Sequence, residues 1–316
     1  MIMPSIFHYT DAAGLIGILQ NETLYATDYR YLNDSSEGQV IKELLLPIFE
    51  SEIASITPKL IEKNWLKPAF YEEYGIGGHR LQAESVYGAL IRTTDNVSPF
   101  FVSSFCRHKE DSSAYEHGLL SQWRGYASGS GFALEFDEGK LDDLVKAEQE
   151  RYCYAGFKWD SVIYKDYEKG FERKEFEGIA GELIRTFFES ENRDVSEVTG
   201  KKDLDKAVLE FAKIAPFFKH RGFEEEAEYR IVGICVRSSK IPEGEQRIAK
   251  EIKFRQRNNF IIPYIELFEA APRLPLKAVI VGPSHKQQKQ AEAVKMLAET
   301  EEWKIDVRLS DIPFSS

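Results

Sequence analysis

The stretch from Ser5 to Asp34 constrains the fold more than any other part of the chain. Ile6 and Phe7 form an apolar run that reads as the end of a buried strand, and it delivers His8, Tyr9 and Thr10 where strand gives way to helix. Leu15, Ile18 and Leu19 then share one helical face, with Thr10 or Asp11 available as N-cap and Asn21 suited to the C-terminal turn. Thr23 to Thr27 has the β-branched and aromatic content of a short strand. The Asx residues of Asp28 to Asp34 suit a loop that bonds back to itself. The opening module is strand, helix, strand, polar loop, and polar groups at its first strand end can face a cleft.

Beyond the module, Val40, Ile41, Leu44, Leu45, Ile48 and Phe49 recur at helical spacing, which predicts helix within 35–65 with a kink or break at Pro47, and a second follows over about 81–91. Strand character returns at Phe100–Phe105, Gly131–Phe136, the aromatic stretch Tyr152–Tyr164 and Tyr229–Val236. Later strands are expected at Arg247–Phe254 and Phe260–Glu266, joined by a turn over Arg255–Asn259, then at Lys277–Val281 and Trp303–Leu309. Short helices suit Ser113–Trp123 and Leu141–Gln149, amphipathic ones Phe171–Glu189 and Leu204–Phe211, and a last helix opens at Pro283 and runs to Glu299. No repeat or long linker divides the chain. The reading is a single α+β domain over 1–316 with helical insertions at about 35–95 and 165–215.

Composition narrows the function classes. Forty-one basic against 52 acidic residues give a formal net charge of −11, so the molecule as a whole repels nucleic acid, although a local basic patch stays open. Cys106, Cys153 and Cys235 are far apart and odd in number, which argues for buried thiols in a reducing compartment. No leader and no uninterrupted apolar stretch of spanning length is evident, so the expected location is cytoplasmic, with no membrane partner. No P-loop, no H-E-x-x-H and no G-x-S-x-G occurs, and Gly75-Ile-Gly-Gly lacks the spacing of a dinucleotide fingerprint. No metal site is expected.

Four segments gather reactive side chains: His8-Tyr9-Thr10, Ser103-Ser104, Ser121 to Tyr126, and Lys219 to Arg230. In the last, Glu226 and Glu228 stand two apart at an expected strand start, so two extended residues point to one face. Two carboxylates on one face raise the pKa of one of them or demand a cation between them. Arg124 suits a bidentate pyrophosphate clamp with Gly125 beside it, or else a stack on a core-anchoring Trp123; the two readings weigh evenly.

A strand ending in His-Tyr-Thr, a helix with Leu-x-x-Ile-Leu, a strand around Leu24 and a late Glu-x-Glu together resemble the ADP-ribosyltransferase superfamily. The wider set HYT, YATDYRYLND, SSF, SQWRGYASGSGFALEFD, FKHRGFEEEAEYRIVG and VIVGP resembles an uncharacterised bacterial domain-of-unknown-function family from His8 to Pro283. The first resemblance implies a split central β-sheet of ADP-ribosyltransferase type and NAD as substrate. It implies that His8 bonds the adenosine-side ribose and that Tyr9 or Tyr126 stacks on nicotinamide. Thr10, Ser103, Trp123 and Arg124 are further NAD contacts, and Glu226 or Glu228 holds the nicotinamide ribose and supports its developing cation. With His8 first, the chain fits the histidine-type subset, which does not require the second glutamate. A small-molecule nucleotide and an unknown macromolecular acceptor would be its partners, nucleic acid not excluded, and the second resemblance implies a toxin or phage-defence effector. The rivals are a Mg²⁺-dependent nuclease using Glu226, Glu228 and Lys253, and a nucleotide-sensing or partner-binding module without turnover.

Overall fold

Strand β1 (Ser5–Thr10) runs antiparallel to β4 (Phe132–Asp137) along its whole length, from Ser5↔Asp137 to Thr10↔Phe132. Its other neighbour is β3 (Phe100–Cys106), where the register is Phe7↔Cys106. A computed structural model describes residues 4–32, 37–62, 64, 67–75, 77–97, 100–126, 131–165, 184, 208–209, 211–213, 215–236, 238–257 and 259–313. The chain packs as two units, one of residues 1–33, 101–162 and 223–316, the other of residues 34–100 and 163–222.

The first unit holds a branched sheet. Its main path runs from β10 (Lys253–Arg257) through β11 (Phe260–Leu267), β2 (Leu24–Asp28), β3, β1 and β4 to β12 (Leu276–Val281) and β13 (Asp306–Leu309). Strand β3 also pairs with β8 (Glu228–Cys235), which pairs with β5 (Tyr152–Ser161), and β5 pairs with β9 (Ile248–Ala249). The expected α+β class is therefore what is observed, with the branch at β3.

Helix α1 (Ala12–Asn21) starts where Asp11 accepts the Gly14 N–H at 2.8 Å and buries Leu15, Ile18 and Leu19. Those side chains join Ile6, Leu24, Ala26, Phe105, Phe132, Leu134 and Ile231 in the main core. The faces of β1 divide by the two-residue period of a strand. Ile6 enters that core, whereas Phe7 and Tyr9 pack on the other side with Cys106, Trp123 and Ala133. The helix expected over Ser113–Trp123 is two helices, α5 (Ser113–His117) and α6 (Leu120–Tyr126), parted at Gly118 with φ +77°. A Cβ on Gly118 would sit 2.3 Å from Trp123 Cζ2, so the break is where the chain must admit the indole. Helix α7 (Glu138–Arg151) follows β4, and the last helix, Gln287–Thr300, begins after the turn at Pro283 rather than on it.

In the second unit, α2 (Glu37–Glu62) is continuous through Pro47 and Pro58, so of the expected kink or break at Pro47 the break does not occur. Ile41, Leu45, Phe49 and Ile53, four apart, meet Ala83, Val86 and Leu90 of α4 (Gly77–Val97), and burial on both sides of Pro47 offsets its missing hydrogen bond. The short α3 (Pro68–Tyr74) was not expected; β6 (Ile163–Lys165) pairs parallel with β7 (Phe218–His220). The helices expected over Phe171–Glu189 and Leu204–Phe211 fall largely outside the described residues. Among the described residues no helix is long and apolar enough to cross a membrane.

Candidate functional site

The branch in the sheet opens a cavity of about 580 Å³, lined wholly by residues of the first unit. Beyond Phe7↔Cys106 the strands β1 and β3 part, and the polar side chains they expose belong to His8, Thr10, Ser103 and Ser104. His8 Nδ1 lies 2.8 Å from the Ser104 carbonyl oxygen. A carbonyl only accepts, so Nδ1 carries the proton and Nε2 is left as an acceptor. Burial lowers the His8 pKa, against the raising effect of the Ser104 bond and with help from the positive charge of Arg255, so the ring is neutral at physiological pH. Ser103 is 2% exposed, and its hydroxyl has no hydrogen-bond partner among the described residues.

A second wall carries the glutamates. Glu226 ends a 3-10 segment, Arg221–Glu226, and Glu228 is the first residue of β8. Between them Ala227 adopts the left-handed region with φ 42°, where its carbonyl accepts the Arg107 N–H at 3.0 Å. The expectation that both glutamates are extended and share a strand face is therefore corrected, since a turn separates them; both nevertheless line the cavity. Glu228 is gripped by Arg230, Nε to Oε1 at 2.7 Å and Nη2 to Oε2 at 3.0 Å, and both side chains are almost fully buried. A carboxylate so held is an anchor for the strand start.

The third wall was missed. The turn expected over Arg255–Asn259 is shorter, because β10 continues to Arg257, which pairs with Phe260. Arg255 and Arg257 thus stand two apart in a strand, on one face, and both line the cavity. Arg255 Nη2 donates to Thr27 Oγ1 at 2.9 Å, and its guanidinium lies 5.2 Å from the Tyr25 ring centroid and 5.6 Å from that of Tyr264. Arg257 Nη2 donates to the Tyr31 carbonyl at 3.0 Å. Burial first, then the charge of Arg257, pulls the Arg255 pKa below the usual arginine range. The signal that could have found this pair is the Asn258-Asn259 dipeptide in the sequence, which suits a short hairpin connection; Asn259 has φ +66°.

The remaining expected contacts divide. Thr10 lines the cavity with His8. Tyr9 lines the cavity too, but its ring packs into the core, 5.0 Å from Trp123 at an interplanar angle of 72°. Its hydroxyl accepts the Leu119 N–H at 2.8 Å and shares a hydrogen bond of 2.8 Å with His108 Nε2, which fixes the orientation of the ring. Trp123 is buried with Nε1 donating to the His117 carbonyl, the core-anchor reading; Arg124 is exposed, and neither lines the cavity. Their neighbours Gln122 and Gly125 do line it. The side chain of Tyr126 lies outside the described residues. Lys253, required with Glu226 and Glu228 by the nuclease reading, instead bonds Glu266 at 2.7 Å and Glu269 at 3.2 Å and does not line the cavity.

Residues 122–231 match a family described as a protein of unknown function, DUF2971. The DUF2971 segment holds Gln122, Gly125, Glu226, Glu228 and Arg230, and so one wall of the cavity, whereas His8 and Arg255 lie on either side of it. The match bears on the domain-of-unknown-function resemblance and not on the ADP-ribosyltransferases. No curated protein and no solved structure matches this chain.

Proposed function

We propose that the cavity binds NAD and cleaves the bond between nicotinamide and ribose, passing ADP-ribose to an acceptor. The observation that carries this reading is the meeting of His8 with Glu226 and Glu228 in one cavity, although more than 200 residues of sequence separate them. Its volume suits a ligand of nucleotide size. Cleavage sends the bonding electron pair to the nicotinamide nitrogen and leaves an oxocarbenium-like ribose, which needs negative charge close by. Glu226 and Glu228 both line the cavity, and Glu226, at the end of the 3-10 segment, is the carboxylate we assign to that cation, with Glu228 as the rival. Neutral His8 offers Nε2 to a ribose hydroxyl. The ribose is then captured by a nucleophile of the acceptor, or by water.

The test is release of nicotinamide from NAD, followed with the intact protein and with Glu226→Gln. Loss of one such electrostatic contribution is expected to slow release by about 100-fold or more while NAD still protects the protein thermally. Neither nicotinamide release nor NAD-induced stabilisation in the wild type would overturn the reading.

A further inference from the structure

Arg255 and Arg257 are charged groups whose surroundings do not account for them. Among the described residues Arg30, Arg107, Arg230, Arg247, Arg273 and Arg308 each face a carboxylate within 4.0 Å. Arg255 and Arg257 face none: their bonds go to a threonine hydroxyl and a backbone carbonyl, and Arg255 Nε is buried without a partner. A half-buried guanidinium with an orphan donor costs stability unless something completes it. The two stand side by side on the cavity face of β10, close enough for the charge of one to depress the pKa of the other. The charge of Asp11 acts on Arg255, and its carboxylate is engaged as the cap of α1.

We propose that Arg255 and Arg257 form a clamp for a diphosphate, so that the cavity selects ligands carrying two linked phosphates over those carrying one. The proposal deepens the NAD reading and rests on it for the identity of the ligand, not for the clamp. A diphosphate presents oxygens in the spacing that two parallel guanidinium forks match, and its negative charge removes the repulsion between them. The aromatic rings of Tyr25 and Tyr264 hold Arg255 from the sides, which fixes the fork before a ligand arrives. The buried, unpartnered Ser103 hydroxyl lines the same cavity and is a further donor for a phosphate oxygen. The acids Glu226 and Glu228 also line it, so a ligand is required to carry its anionic part toward β10 and its cationic part toward them.

The experiment compares inorganic pyrophosphate, ADP-ribose and nicotinamide mononucleotide as ligands of the full chain by calorimetry, with wild type, Arg255→Met, Arg255→Lys and Arg257→Met. Pyrophosphate and ADP-ribose are expected to bind, and each Met variant to weaken them about 10- to 100-fold, with nicotinamide mononucleotide weaker than ADP-ribose and little changed. Arg255→Lys keeps the charge but loses the fork and falls between. A clamp that awaits a ligand also predicts that Arg255→Met melts no lower than wild type in the absence of ligand, whereas a purely structural arginine would lower the melting temperature. Equal binding by wild type and Met variants, or a Met variant that loses binding only because it melts earlier, overturns the clamp. Nicotinamide release with unaltered KM in both Met variants also overturns it and leaves the NAD reading standing; pyrophosphate binding lost in the variants without any NAD cleavage by wild type does the reverse.

Discussion

His108 provides a quantitative test of the core beneath the cavity. The residue is 6% exposed, its ring lies 4.8 Å from the Phe7 ring, and its Nε2 is hydrogen-bonded to the Tyr9 hydroxyl at 2.8 Å. Burial pushes its pKa down from 6.5 to about 4. Above pH 6.5 neither the folded nor the unfolded chain holds the extra proton. Between pH 6.5 and about 4 the unfolded chain takes it up and the folded chain does not, so stability falls as the pH falls. The full interval, at about 1.4 kcal/mol per pH unit, is worth roughly 3 kcal/mol. Carboxylates with depressed pKa values, Glu135 and Glu269, destabilise the fold on acidification in the same direction, so the contribution of His108 must be isolated by difference. His108→Gln keeps an acceptor for Tyr9 and removes the titration. Urea unfolding followed by circular dichroism at about pH 7 and about pH 4.5 should show wild type losing about 2 kcal/mol more than the variant. Equal losses in the two proteins, or a His108 ring that titrates near 6.5 by NMR in the folded chain, would refute the buried neutral histidine and with it the fixed orientation of Tyr9.

Two further substitutions read the walls of the cavity. Glu228→Gln removes the carboxylate that the buried Arg230 guanidinium grips and should cost about 3 kcal/mol in chemical denaturation. Gly118→Ala forces a Cβ into the Trp123 indole at a positive φ, so it should destabilise by about 3 kcal/mol and quench or shift tryptophan fluorescence as α6 moves.

The elements of the opening module were legible in the sequence because their signals are local: the Asp11 cap, the spacing of Leu15, Ile18 and Leu19, and the β-branched content around Leu24 all act within a few residues. Its site was only half legible. Reading His8, Tyr9 and Thr10 as one reactive triplet ignores the alternation of a strand, under which Tyr9 must go where Phe7 goes. Arg255 and Arg257 were lost to an overlong turn, because Lys253 to Arg257 has polar residues at both parities and no amphipathic pattern to mark the strand. The helical break at Gly118 was hidden for a different reason, since it answers to an indole brought in from the following helix.

Ala227 explains why the Glu-x-Glu pattern led to the right cavity by the wrong geometry. Alanine has no intrinsic preference for the left-handed region, and the conformation costs about 1 kcal/mol or more, so tertiary contacts have to impose it. The Arg107 N–H on the Ala227 carbonyl and the Glu228–Arg230 pair, one on each side of the turn, do so. With both glutamates extended in β8, Glu226 would share the buried ladder position of Glu228 and compete for Arg230. The turn takes Glu226 out of the strand while keeping it at the cavity, and so places the two carboxylates on different elements. Backbone strain at Ala227 is what keeps Glu226 out of the strand that Glu228 begins.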